Sequence, residues 1–79
     1  MKSARMQTDE EERTPDRYVE TYYADGAWHS RRHDSDIPFA SGSEELEQVA
    51  LGTEVARWNQ LPHVIRTSTG DIAEILPAS

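Results

Sequence analysis

Hydrophobic and polar residues alternate on both sides of one Asp-Gly pair, Asp25-Gly26. The flanking runs, from about Arg17 to Ala24 and from Ala27 to about His33, are rich in aromatic and β-branched residues. An Asp-Gly pair tolerates the positive φ angles of a two-residue type I′ turn, whose twist suits a β-hairpin. The pattern therefore predicts two antiparallel strands whose register, counted outwards from the turn, places Val19 opposite Arg32.

Alternation divides this hairpin into two faces, because successive side chains of a strand point to opposite sides. The face expected to cover the core carries Val19, Thr21, Tyr23, Trp28, Ser30 and Arg32. The other face, richer in charge and expected to meet water, is called the outer sheet face and carries Tyr18, Glu20, Tyr22, His29, Arg31 and His33. Its candidate binding residues are Tyr18, Tyr22, His29, Arg31 and His33.

A helical pattern follows a connection at residues 34–42, in which Pro38 argues against an uninterrupted central strand. We expect the helix to begin at Ser41 or Ser43, where hydroxyl groups and the following glutamates suit a helix N-terminus. It should end near Trp58 or Asn59, before Pro62.

Two apolar stripes lie on this helix at a period of 3.6 residues. The first, expected to lie on the sheet, comprises Leu46, Val49, Ala50, Thr53 and Ala56, with Gly52 near its edge. The second comprises Leu51, Val55 and Trp58 on nearly the opposite side. One helix on one sheet buries only one stripe fully, so the second is either covered by the tail and loops or is a protein-contact surface.

A second hairpin is predicted at residues 63–76, with Thr69-Gly70 as its turn. The resulting order is ββαββ, an α+β domain at residues 17–77 with one helix packed on a small antiparallel or mixed sheet. Residues 1–16 form a charged run that is expected to be a disordered acidic tail. The predicted core comprises Val19, Tyr23, Trp28, Leu46, Val49, Ala56, Ile65 and Ile72.

Composition narrows the classes of protein and of partner. The chain has 79 residues, a formal net charge of −7 and no cysteine. We expect a cytoplasmic protein without a membrane span, because no apolar run is long enough for a span or a signal peptide. The acidic balance argues against binding dominated by phosphate contacts. Arg31, Arg32 and Arg66 nevertheless allow a locally basic face.

Residue patterns that carry catalysis or bind cofactors are weak in this chain. His29 and His33 share a strand face with Asp34 and Asp36 nearby, but four residues of a strand span about 13 Å, too far for one metal ion. Glu20 opposite Arg31 fits a cross-strand ion pair better than an acid/base site. The glycines are scattered singly, so there is no phosphate-binding loop. We expect no enzyme activity, no metal and no cofactor.

The order of several short features resembles a family of small bacterial proteins, the domain of unknown function 2188. These features are the paired aromatics of the first strand, the Asp-Gly turn followed by Trp28, the helix with residues 52–57, and the hairpin with Val64-Ile65 and residues 70–72. The resemblance covers roughly Tyr18 to Glu74. It implies a ββαββ domain and, since no activity is established for that family, no catalytic residue.

The apolar stripe left over after the core is assigned favours a small protein-interaction module that associates with itself as a dimer, through Leu51, Val55 and Trp58 or through the outer sheet face. The alternative is a nucleic-acid-associated domain that uses the basic residues of the sheet.

Overall fold

The computed structural model describes residues 14–78, and within them one helix packs on a five-stranded mixed sheet. The elements are β1 (Val19–Ala24), β2 (Ala27–Arg32), β3 (Ala40–Gly42), α1 (Glu45–Trp58), β4 (His63–Arg66) and β5 (Ile72–Leu76). The predicted α+β class is confirmed. Residues 1–13 of the predicted tail lie outside the described residues. The helix of residues 14–78 is too short and too polar to span a membrane.

The sheet has the strand order β3-β2-β1-β4-β5. β1 runs parallel to β4, and the other neighbouring strands are antiparallel. The chain reaches β4 from β3 through α1, which packs over β1, β2, β3 and β4. This crossover makes the sheet mixed, because a parallel pair needs a long connection whereas an antiparallel pair can be joined by a tight turn.

The first hairpin has the predicted register. Val19 pairs with Arg32, Tyr23 with Trp28, and the positions between them follow in step. Asp25 and Gly26 have φ angles of 53° and 80°, the two positive values that a type I′ turn requires. Local turn chemistry therefore fixes the facing pairs of β1 and β2.

The predicted start of the helix at Ser41 or Ser43 is wrong, because part of the expected connection forms β3. After Pro38, the Phe39 N–H donates to the Ser30 carbonyl at 2.8 Å, and residues 40–42 then pair with β2. Ser41 Oγ lies 2.6 Å from His29 Nδ1, so it is committed to the sheet. The helix begins at Glu45, and no side chain caps it at Glu44.

The helix ends at Trp58 as predicted. Backbone hydrogen bonds after Trp58, and not Pro62 alone, account for this end. Gln60 adopts a φ of 56°, its N–H donates to the Arg57 carbonyl, and the Leu61 N–H donates to the Ala56 carbonyl at 2.8 Å. These two bonds form a Schellman motif, which is usually accompanied by an apolar contact between the residues at its ends. Here Leu61 and Ala56 supply that contact in the core.

The second hairpin departs from a two-residue turn. Thr69 and Gly70 lie within a five-residue loop at 67–71, closed by Thr67 N–H donating to the Asp71 carbonyl at 2.8 Å. The pairing of β4 with β5 shifts register between Ile65 and Arg66. Gly70 takes the positive φ of 96° that the predicted turn demanded.

The core is small and only partly the predicted one. Its buried apolar residues are Val19, Ala56, Leu61, Val64 and Ile65. Three of the other predicted core residues, Trp28, Val49 and Ile72, are half-buried. Two are in the wrong place: Leu46 is 80% exposed and Tyr23 is 42% exposed.

The helix is rotated about its axis relative to the prediction, which explains Leu46. Gln48, Gly52 and Ala56 form the buried line of α1, so Leu46 and Ala50 point away from the sheet. Tyr23 is exposed because the N-terminal end of α1 does not extend over it. Towards the turn of the hairpin, Val19 packs against Ala56 and Ser30 then donates to the Gln48 carbonyl. One helical turn before Gln48, the helix already begins at its polar N-cap, Glu44.

Gly52 is the point of closest approach between helix and sheet. A Cβ at this position would lie 2.7 Å from His63 Nε2, 2.8 Å from His63 Cε1 and 2.8 Å from Thr21 Oγ1. His63 and Thr21 are both buried and are bonded to each other, so neither moves aside cheaply. Only glycine allows the helix to lie at this depth.

Gly52→Ala is therefore expected to destabilise the protein, although alanine is the better helix former by about 1 kcal/mol. Overpacking against the His63 ring, at the upper end of its usual cost of about 1–3 kcal/mol, should outweigh that gain and lower the free energy of unfolding by about 1–2 kcal/mol. Urea denaturation measures the change, with Glu47→Ala on the exposed side of the helix as the control. A variant at least as stable as the wild type would contradict the close packing.

Candidate interaction surface

The exposed side of α1 carries two large apolar residues on one face. Leu51 is 43% exposed and Trp58 is 76% exposed, and Glu54 lies between them in sequence. At 100° per residue these three positions fall within about 60° around the helix axis. We call Leu51, Glu54 and Trp58 the α1 surface.

Val55, the third member of the predicted contact stripe, has a different environment. It packs against the core cluster of Val19, Ala56 and Leu61 and is only half-buried by it. The structure therefore separates the stripe into an inner residue, Val55, and two outer ones, Leu51 and Trp58. Leu46 is also exposed, but about 140° around the helix from Leu51, so it does not extend the α1 surface.

Cross-strand ring contacts organise the outer sheet face. The ring centroids of Tyr22 and His29 lie 5.3 Å apart, and those of Tyr18 and His33 lie 5.7 Å apart. His33 Nδ1 also contacts the backbone of Tyr18. Tyr22 and His29 are facing residues of β1 and β2, as the register predicted, and Tyr18 and His33 face each other just beyond the ends of these strands.

Glu20 lies at the centre of the outer sheet face and engages two arginines. Arg31 Nε donates to one carboxylate oxygen at 2.9 Å, and Arg66 Nε donates to the other. Burial acts to lower the pKa of Arg31, but the hydrogen bond and charge of Glu20 outweigh it and raise that pKa. The carboxylate therefore offsets part of the positive charge that the sequence suggested for this face.

Arg32 lies on the other side of the sheet from Arg31. Its Nε is 3.5 Å from Asp34, and its guanidinium reaches Asn59 just after the helix. The three arginines that suggested a basic face are therefore divided between two sides of the sheet. Only Arg31 and Arg66 share one, and they share a carboxylate there.

His29 is held by both of its ring nitrogens. Nε2 lies 3.0 Å from the Ala24 carbonyl, which can only accept, so Nε2 carries the proton. Nδ1 then accepts from the Ser41 hydroxyl at 2.6 Å. His29 and Ser41 are directly paired residues of β2 and β3, so this bond ties the short edge strand to the sheet.

A polar network lies under the helix where the sequence predicted mainly apolar contacts. It comprises Thr21, Ser30, Thr53 and His63, linked in a line between two helix carbonyl groups. Ser30 donates to the Gln48 carbonyl at 3.0 Å, and Thr53 donates to the Val49 carbonyl at 2.8 Å. Thr21 contacts Ser30 at 2.9 Å and His63 Nε2 at 2.7 Å, while His63 Nδ1 contacts Thr53 at 3.0 Å.

The direction of these bonds assigns the protonation of His63. Since the Ser30 proton goes to a carbonyl, Thr21 donates to Ser30 and accepts from His63 Nε2–H. His63 Nδ1 and the Val49 carbonyl then share the single proton of Thr53. Burial disfavours the charged imidazole, and it lowers the pKa of His63 to about 4.

Sequence reasoning missed this network. His63 is the first residue of β4, and its partner Thr21 lies 42 residues earlier in the chain. The available signal was the polar residues Thr21 and Ser30 on the face assigned to the core. Two hydroxyl groups on a buried face demand further hydrogen-bonding partners.

Within residues 14–78 no three or more histidine, aspartate or glutamate side chains form a group that could hold a metal ion. Comparison of the chain with protein-family models, with curated proteins and with solved structures gave no match. The α1 surface and the outer sheet face are therefore identified as candidates from the geometry of this chain alone.

The stability of the protein is expected to fall as the pH is lowered from 7.5 to 5.0. The unfolded chain protonates His63 near its ordinary pKa of 6.5, whereas the folded protein resists protonation down to about pH 4. The unfolded state binds more protons in this pH range, so the free energy of unfolding falls by about 2 kcal/mol.

Urea denaturation at each pH measures this loss, with His63→Gln as the variant that removes the titrating ring. The difference in slope between wild type and variant isolates His63 from the other histidines. Equal pH dependence in both proteins would contradict the assignment.

Proposed function

We propose that this protein is a small protein-interaction module without enzymatic activity, which associates with itself through the α1 surface. The observation that carries the proposal is the exposure of Trp58 and Leu51 on one face of a helix whose other face is committed to the core. Tryptophan is the residue type most enriched among the residues that dominate protein–protein binding energy.

The energetics of a small domain support self-association. A chain of this size buries a smaller share of its surface than a large one, and within residues 14–78 five apolar residues form the buried core. Trp58 is a large apolar side chain that contributes little to this core. A second subunit that covers it stabilises the folded state by mass action.

Nucleic-acid binding through the outer sheet face is the weaker alternative. Tyr18, Tyr22 and Arg31 offer rings and a guanidinium on one face, which suits base stacking. Glu20 lies among them, however, and pairs with both Arg31 and Arg66. A buried carboxylate at the centre of the face works against phosphate binding, and so does the net charge of −7. The resemblance to the family of unknown function adds no binding residue to either alternative.

Leu51→Glu and Trp58→Glu are expected to weaken self-association by about tenfold or more each, because each introduces a charge into the centre of the proposed contact. Sedimentation equilibrium over about 1 μM to 1 mM protein measures the effect, in the range where small interfaces dissociate. Far-UV circular dichroism and urea denaturation check that both variants fold.

Leu46→Glu is the matched control, since Leu46 is equally apolar and even more exposed but lies elsewhere on the helix. It should leave association unchanged. A wild-type protein that stays monomeric throughout the range would refute self-association, and equal effects of all three variants would refute the α1 surface.

A further inference from the structure

Two loops lie towards opposite ends of the sheet. The 33–39 loop follows β2, whose last residue, Arg32, pairs with Val19 at the start of β1. The 67–71 loop follows β4, which runs parallel to β1, so Arg66 at the end of β4 lies towards the other end of β1. The two loops therefore have no strand end in common, and β1 separates the strands that lead into them.

Arg31 holds the 33–39 loop. Its Nη1 donates to the Ser35 carbonyl at 2.7 Å and to the Arg32 carbonyl at 3.2 Å. Ser35 Oγ in turn donates to the Ile37 carbonyl at 3.1 Å and accepts from the Ile37 N–H at 3.2 Å. Ser35 is thus the residue through which the Arg31 guanidinium fixes the position of this loop.

Arg66 holds the 67–71 loop in a similar way. Its Nη1 donates to the Gly70 carbonyl at 2.8 Å. The Gly70 N–H donates to the Thr67 carbonyl at 3.0 Å, and Gly70 has the positive φ of 96° that turns the chain back towards β5. The guanidinium therefore binds this loop at the residue where the chain reverses.

Glu20 determines where both guanidinium groups point. Each arginine uses Nε to bind one oxygen of the Glu20 carboxylate and Nη1 to bind its loop. A guanidinium is planar and its donors are fixed relative to one another, so the position of Nε largely determines the direction of Nη1. One buried carboxylate on β1 thereby orients the donors that reach both loops.

The two guanidinium groups need the carboxylate between them. Arg31 and Arg66 are half-buried, and both Nε atoms lie against the same carboxylate. Without the negative charge of Glu20, two like charges would be held close together on a partly buried face, which is unfavourable. Each long side chain would then turn its charged end towards water and draw Nη1 away from its loop carbonyl.

We propose that Glu20 is the common anchor of the 33–39 and 67–71 loops, and that it fixes the first through Arg31 and the second through Arg66. Loss of Glu20 loosens both loops, although it contacts neither of them through the bonds described above. Loss of one arginine leaves the whole carboxylate to the other, so it loosens only the loop which that arginine binds.

Glu20→Gln tests the anchor, because it keeps the size of the side chain and removes its charge. Amide hydrogen exchange, followed by nuclear magnetic resonance, should accelerate by about tenfold or more at Ser35 and at Gly70. The Leu61 N–H, which donates to the Ala56 carbonyl beneath α1, is the internal reference and should change less. Glu54→Gln is the matched control for net charge, since Glu54 is exposed on α1.

Arg31→Gln and Arg66→Gln separate the two branches of the anchor. Arg31→Gln should accelerate exchange at Ser35 and leave Gly70 unchanged, whereas Arg66→Gln should do the reverse. These two variants decide the matter if Glu20→Gln does not fold, because each of them keeps the carboxylate paired with the remaining arginine.

Three outcomes would overturn the proposal. The first is a Glu20→Gln protein in which exchange at Ser35 or at Gly70 stays at the wild-type rate. The second is acceleration at both loops in either arginine variant, which would show that the loops are linked by something other than a shared carboxylate. The third is an equal acceleration at Leu61, or the same effect from Glu54→Gln, since either would mean a general loss of stability or an effect of net charge.

Discussion

The close approach of α1 to the sheet at Gly52 is the constraint on which the rest of the structure depends. The space that a Cβ would fill is occupied by the His63 ring and the Thr21 hydroxyl group. At this depth the carbonyl groups of Gln48 and Val49 come within reach of Ser30 and Thr53. The centre of the helix–sheet contact is consequently polar, and the apolar cluster of Val19, Ala56 and Leu61 gathers at the C-terminal end of the helix.

The same constraint creates the exposed surface. Because Gly52 must face β1 and β4, the neighbouring positions of the helix are fixed in rotation, and Leu51, Glu54 and Trp58 point away from the sheet. A helix turned so as to bury Leu51 and Trp58 would lift Gly52 off His63 and leave the buried imidazole without its Thr53 partner. Core and surface thus follow from the same rotation of the helix, because leaving the buried polar groups of the network unsatisfied would cost more than the exposed apolar area does.

Features that depend on local interactions could be predicted from the sequence, whereas those that depend on distant residues could not. The β1–β2 register follows from Asp25 and Gly26 alone, because a two-residue turn determines every facing pair beyond it. The rotation of α1 could not be predicted from apolar periodicity, which gives weight to Leu46 and none to Gly52. What selects the rotation is a partner, His63, brought beside β1 by a crossover. β3 was missed because Pro38 seemed to end strand formation, although the proline precedes the paired residues.

The polar interior also explains why covering the exposed Trp58 would stabilise the protein. A hydrogen bond inside a protein replaces one with water and adds little net stability, whereas burial of apolar area adds more for each side chain. In this fold the interior beneath α1 is occupied largely by hydroxyl groups and an imidazole, so little of the helix's apolar area stabilises the single chain. The unused apolar area on Leu51 and Trp58 is then the main reserve of stabilising burial on α1. A second copy can use that area without disturbing the network, because the α1 surface and Gly52 lie on different sides of the same helix.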